Sequence, residues 1–235
     1  MLNKTRGIVI RTIKYGEASA ICNILTEQHG LLGFHIPSAF KPKSKFSISY
    51  FQTLNAVEIS FNYRKTSGLQ KISDVTCHSY PDLSKFNQQA IYHVICELLQ
   101  QTVRENEINQ NLFNYLYNET LPGINHDLHF WQLPFVMLNV LYHYGCAPNI
   151  DTYSEGHCLD LQNGIFQDEF KPTKQVSDAS TSSIIYEMMR NGISHLNQDT
   201  MARQKLIRDL ITYYRLHIND SFDLKSLDIL TQVAR

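Results

Sequence analysis

No stretch of the 235 residues approaches 18 consecutive apolar side chains, so nothing in the chain reads as a membrane-crossing helix. The opening Met-Leu-Asn-Lys-Thr-Arg-Gly lacks the apolar segment of a secretory signal, and a cytoplasmic location is expected. Cysteine is sparse: Cys22, Cys77, Cys96, Cys146 and Cys158 are odd in number, scattered, and form no C-x-x-C. That pattern excludes a disulfide framework and reads as reduced, mostly buried thiols. Also missing are G-x-S-x-G, H-E-x-x-H, a Walker A loop and G-x-G-x-x-G; Gly30-Leu31-Leu32-Gly33 has no helix after it to cradle a phosphate. His126 and His129 are three apart, with His143 further on, but no acidic or cysteine partner completes a metal site. No pair of carboxylates stands out as an acid–base couple. The expectation is a protein that is not an enzyme, with no metal and no cofactor.

Charge is present but unevenly divided. Residues 1–80 carry ten Lys and Arg (Lys4, Arg6, Arg11, Lys14, Lys41, Lys43, Lys45, Arg64, Lys65 and Lys71) against Glu17, Glu27, Glu58 and Asp74, a balance of +6. Residues 81–235 hold the other 11 basic and 18 acidic side chains, a balance of −7. The formal net charge of −1 conceals a cationic module suited to a polyanion, joined to an anionic remainder.

The two parts also differ in period. Residues 7–13, 20–26, 31–36, 48–63 and 69–77 are rich in β-branched and aromatic side chains and are separated by turn signals. Five strands are expected, the fourth long and bent, forming a small closed or partly open barrel. Beyond Pro81 the apolar period is 3.6, predicting helices over 84–104, 112–121 (ended by Pro122-Gly123), 126–144, 181–191, 200–217 and 224–232. Around 146–177 the helical period vanishes, and Asn163-Gly164 suits a type I′ hairpin turn. The fold class is therefore α+β. A five-stranded barrel (1–80) precedes an α-helical domain (81–235) with a β-like insert at about 146–177.

Lys41, Lys43 and Lys45 alternate between Phe40 and Phe46. In extended backbone they would project from one side, a spacing suited to successive phosphates. Tyr15, Phe34, Tyr50, Phe51, Phe61 and Tyr63 offer rings that could stack on bases, although each is by itself more readily a core residue. Lys4, Arg6, Arg11, Lys14, Lys41, Lys43, Lys45, Arg64 and Lys65 are the candidate nucleic-acid contacts. An RNA-binding OB module in translation or RNA processing is the competing reading, separable by the dependence of affinity on sugar type.

Lys4-Thr5-Arg6-Gly7-Ile8-Val9-Ile10-Arg11, Tyr15-Gly16-Glu17-Ala18-Ser19 and Leu25-Thr26-Glu27-Gln28-His29-Gly30 resemble the opening of the bacterial RecO family of DNA repair and recombination proteins. Tyr144-Gly145-Cys146-Ala147-Pro148-Asn149-Ile150-Asp151 is similar to the family's G-x-x-P-x-L-D. Tyr213-Tyr214-Arg215-Leu216-His217 and Leu224-Lys225-Ser226-Leu227-Asp228-Ile229-Leu230 are similar to its ending.

The resemblance implies an N-terminal five-stranded OB-fold barrel (1–80) and a C-terminal helical domain, in a mediator without catalytic residues that is associated with the nucleoid. Such a protein binds single- and double-stranded DNA, anneals strands coated with single-strand-binding protein, and works with RecR to load RecA. Many family members hold zinc on four cysteines in the lobe after that motif, whereas here the lobe has only Cys158, with Cys146 upstream. No zinc is therefore expected, and packing of Leu159, Leu161, Ile165 and Phe166 is expected to replace it. For the acidic, apolar-tipped tail of single-strand-binding protein, the candidate residues are Arg203, Lys205, Leu206 and Arg208. They would form a basic rim beside an apolar stripe of Leu206, Leu210 and Tyr213.

Overall fold

The computed structural model describes residues 2–65, 68–79, 86–126, 131–168 and 175–227. Its contacts divide the chain into two compact units, one reaching from the N-terminus to His126 and the other spanning Asp127–Asp228. The expected domain break near residue 80 lies outside the described residues.

In the first unit, β1 (Leu2–Tyr15), β2 (Ser19–Thr26), β3 (Gly30–Ile36), β4 (Ala56–Asn62) and β5 (Gln70–Ser79) close a barrel in the order β1-β2-β3-β5-β4. The first strand is long because it serves two neighbours. Residues 2–8 pair with β4 and residues 7–15 with β2, across a register shift between Val9 and Arg11. At that shift Val9 donates to Asn55 O (3.0 Å) and accepts from Leu54 N (2.7 Å). The barrel interior is filled by Ala20, Cys22, Ile24, Phe34, Ile36, Val57, Ile59 and Phe61, whose alternation along each strand turns the intervening side chains to the outer face. Burial pushes the Cys22 thiol up to about 12, so it remains a neutral core group.

The expected long strand over 48–63 is not formed. Residues Ile48–Phe51 make a 3-10 turn, and Leu54 has φ +64° before β4 begins. Local side-chain bonds win over β-propensity: Ser47 caps the turn, and the buried Asn55 amide donates to Ser49 O and Tyr50 O.

Helix α1 (Phe86–Thr102) follows, with Val94, Ile95, Leu98 and Leu99 fully buried, and Gln100 donates to the Ile10 carbonyl of β1 at 3.1 Å. The next helical stretch does not end at Pro122-Gly123 as expected. Helix α2 (Gln110–Tyr115) passes through a π-turn at Leu116–Thr120 into α3 (Leu121–His126). In the wider turn Leu121 N bonds Leu116 O, five residues back, and the helix continues through Pro122.

The second unit contains α4 (Gln132–His143), β6 (Cys158–Asp160), β7 (Ile165–Gln167), α5 (Ala179–Asn191) and α6 (Thr200–His217). Tyr214 on α6 donates to Met137 O of α4 (2.8 Å), and Tyr213 donates to Cys146 O (2.9 Å) at the start of the insert. Strands β6 and β7 form the expected hairpin with a different turn. The loop spans four residues, and within it only Gly164 has positive φ (+66°), so it is not type I′. Asp160 organises that loop by accepting from Gln162 N and Asn163 N. Leu159, Leu161 and Phe166 are buried as expected, but Ile165 is 37% exposed. The expected helix over 224–232 and the His126/His129 pair lie largely outside the described side chains. Among the described residues no three His, Cys, Asp or Glu gather as a metal site, and no helix is long and apolar enough to cross a membrane.

Candidate nucleic-acid interface

The register of the barrel assembles an outer face that the sequence could not show. Arg11, Asn23 and Gly33 are cross-strand partners on β1, β2 and β3. Ile13, Ile21, His35 and Lys71 form the next row, across β1, β2, β3 and β5. Residues in register share a face, so Arg11, Ile13 and Tyr15 stand on one side with His35 and Lys71. Ile13 is 43% and Tyr15 57% exposed, and Tyr15 meets His35 edge-on at 6.2 Å. Exposed apolar and ring surface flanked by cations suits an amphipathic polyanion with flat apolar parts.

The loops around this face are set by specific contacts. Gln70, buried at the start of β5, clamps the β4–β5 loop by accepting from Arg64 N (3.0 Å) and donating to Arg64 O (2.9 Å). Arg64 and Lys65 are thereby held exposed at its rim. His29 stacks on Tyr63 at 4.4 Å, and partial burial lowers the His29 pKa.

The candidate cations separate into two groups. Lys4 pairs with Glu58 (2.8 Å), and Lys45 pairs with Asp74 (3.3 Å) while donating to Ser73 O (2.8 Å). Arg6 meets Glu27 through two hydrogen bonds, Nε to Oε2 at 2.9 Å and Nη2 to Oε1 at 2.7 Å. It also lies over the Tyr117 ring at 4.8 Å. The hydrogen bond from Arg6 holds the Glu27 carboxyl below its usual range, and the same bond raises the Arg6 pKa. These three cations consume three of the four acids in the module and serve to hold it together. Among the described residues no carboxylate pairs with Arg11, Lys14, Lys41, Lys43, Arg64, Lys65 or Lys71. The +6 balance is thus carried by these seven, opposed only by Glu17.

Two expectations are corrected. The 41–45 loop is not extended: Lys41 N bonds Ser38 O, Ser44 N bonds Lys41 O, and Lys43 has φ +60°. Its lysines therefore do not form a row, and Lys45 folds back onto β5. Phe34, Phe51 and Phe61 are fully buried, leaving Tyr15, Phe40 and half-buried Tyr50 and Tyr63 as accessible rings.

On α6, Lys205 is bound to Asp209 (2.8 Å) and Asp178 (3.2 Å), and Leu206, Leu210 and Tyr213 are core residues. Partial burial pulls the Lys205 pKa down, but the two carboxylates outweigh it and the net shift is upward. Burial lowers the Arg203 pKa, and Arg208 alone of the four candidates is exposed. The expected apolar stripe is therefore interior.

A closed barrel of this strand order, with rings and free cations on its outer face, defines an OB-fold protein, a class whose β2–β3 face and adjoining loops hold oligonucleotides and oligosaccharides. Residues 1–80 match the family described as Recombination protein O N terminal. The DNA repair protein RecO of Phocaeicola vulgatus is 30% identical over 99% of both chains. That of Exiguobacterium is 32% identical over 100% of this chain and 98% of its own, and that of Azobacteroides pseudotrichonymphae 27% identical over 99% of both. The chain belongs to the RecO family of DNA repair and recombination proteins.

Proposed function

We propose that this protein is a recombination mediator that holds single- and double-stranded DNA on the outer face and loops of its barrel. In this reading it anneals complementary strands coated with single-strand-binding protein and, with RecR, promotes loading of RecA. The observation that supports it is the segregation of charge within the first unit. Three cations are held by carboxylates within the module, while seven have no carboxylate partner among the described residues, and two of these, Arg11 and Lys71, share a face with Ile13, Tyr15 and His35. Phosphates would be met by the cations and unstacked bases by the rings.

Annealing of complementary strands precoated with single-strand-binding protein tests the reading. The wild-type protein is expected to accelerate annealing, and a variant with Arg11, Lys14 and Lys71 replaced by alanine is expected to lose most of that acceleration. Equal rates with and without wild-type protein would contradict it. Tighter binding to a ribo-oligonucleotide than to its deoxy counterpart would favour an RNA-binding role instead.

A further inference from the structure

The β3–β4 loop (residues 37–55) and helix α1 enclose a groove of about 480 Å³ beside the C-terminal half of β1. Phe51, Tyr92 and Cys96, all buried, contribute its apolar wall. Phe40 lines it while remaining 43% exposed, and Lys14 Nζ sits 5.7 Å from the centre of that ring. Gln52, Thr53, Gln89 and His93 add side chains that donate and accept hydrogen bonds, and among the described residues no carboxylate lines the groove.

Its loop wall is held in a costly backbone shape. Of the four non-glycine residues with positive φ among those described, Ser38, Lys43 and Leu54 fall in this loop. The strain is sustained by burial of Ala39, Phe51 and Leu54 and by the Asn55 clamp. Strain of this kind gathers where a fold must present a fixed shape to a ligand.

We infer that the groove receives one unpaired nucleobase of a bound single strand, stacked on Phe40, with Lys14 on the adjoining phosphate. The three parts of a nucleotide each find a counterpart here: a ring for its flat face, amides and an imidazole for its polar edge, and a lysine for its phosphate. The volume lies within the range of small-molecule sites. Thr12 and Lys14 line the groove from β1, and the alternation of the strand sets their side chains on the opposite side from Arg11, Ile13 and Tyr15. The groove and the cationic face are thus served by opposite sides of one strand. A fully paired duplex has no base to offer, so the groove favours single strands.

This inference rests on the DNA reading, and the test separates the two. Affinity is measured for a thymine-bearing single strand and for an abasic strand of equal length and charge. The wild-type protein is expected to prefer the former. Phe40→Ala is expected to weaken the base-bearing strand by about fivefold to a hundredfold, the range of one lost stacking contact, while barely moving the abasic one. Phe40→Trp, which keeps an aromatic face, is expected to retain the preference. Equal weakening of both strands, or no change in either, would overturn the groove as a base site while leaving DNA binding intact. Failure of the wild-type protein to bind either strand would overturn the DNA reading and the inference with it. An acidic, apolar-ended peptide that loses binding in Phe40→Ala, with strand affinities unchanged, would assign the groove to a protein partner and overturn the inference.

Discussion

Replacing Gly30 with alanine is expected to destabilise the first unit by at least about 3 kcal/mol. Gly30 opens β3 with φ +67°, a conformation that costs alanine roughly 1–2 kcal/mol by itself. Steric overlap costs more. A Cβ on Gly30 would lie 2.2 Å from the Glu107 carbonyl oxygen and 2.7 Å from its carbon, both backbone atoms. That backbone cannot swing aside cheaply, because Asn106 donates to Leu31 O (3.2 Å) and Glu105 bridges Leu31 alongside β3. The segment after α1 thus covers an edge of the barrel, and at Gly30 the two stretches of backbone pass too closely for any side chain.

Gly16 supplies the control, with φ +65° and nothing within 4 Å of a built Cβ. Gly16→Ala should therefore cost only the backbone strain of a left-handed alanine, about 1 kcal/mol. Denaturant unfolding of the full chain, followed by far-UV circular dichroism, should separate the two variants clearly. Equal costs would mean that the covered edge contributes little.

The second large effect is expected at Asp160, whose side chain is central to the insert of the second unit. It is 1% exposed and accepts four hydrogen bonds: Gln162 N (2.9 Å), Asn163 N (3.1 Å), Asn163 Nδ2 (2.8 Å) and Gln167 Nε2 (3.3 Å). Asp160→Ala leaves two backbone donors without an acceptor, each costing about 1–3 kcal/mol, for a total near 3 kcal/mol. Asp160→Asn keeps one acceptor but points an amide toward two amide donors, so an intermediate loss is expected. The only tryptophan, Trp131, is buried in this same unit and ties its ring nitrogen to Asn197 O (3.0 Å), so its fluorescence reports the melting directly. A melting temperature unchanged in Asp160→Ala would show that apolar packing of Leu159, Leu161 and Phe166 suffices to hold the hairpin.

Much of the architecture was legible because it follows from period and composition. The five β-rich segments close a barrel, and α6 spans Thr200–His217 as its apolar spacing indicates. The misreadings came where local bonding outweighed propensity. Asn55 and Ser47 fold residues 48–55 back on themselves, and the π-turn before Pro122 carries the helix past a Pro-Gly pair that reads as its end. The site was half legible. Charge counting found the cationic module, but only the structure shows that Lys4, Arg6 and Lys45 are committed to Glu58, Glu27 and Asp74. His35 and Lys71 could not be joined to Ile13 and Tyr15 from sequence, since strand register decides which residues share a row. The alternation of Arg11, Ile13 and Tyr15 was the one local sign that β1 turns a mixed cationic and apolar edge outward.

The central claim, that unpaired cations on the barrel meet phosphates while paired ones hold the fold, is tested most directly by salt dependence. Single-strand affinity is measured against salt concentration for the wild type, for Arg11, Lys14 and Lys71 replaced together by alanine, and for Lys4 and Lys45 replaced together. Each lost phosphate contact flattens the slope of log K against log salt by about 0.7, so the first variant should lose up to about 2 units of slope. The second should keep the wild-type slope, because its lysines already face Glu58 and Asp74. Equal flattening in the two variants, or none in the first, would contradict the account.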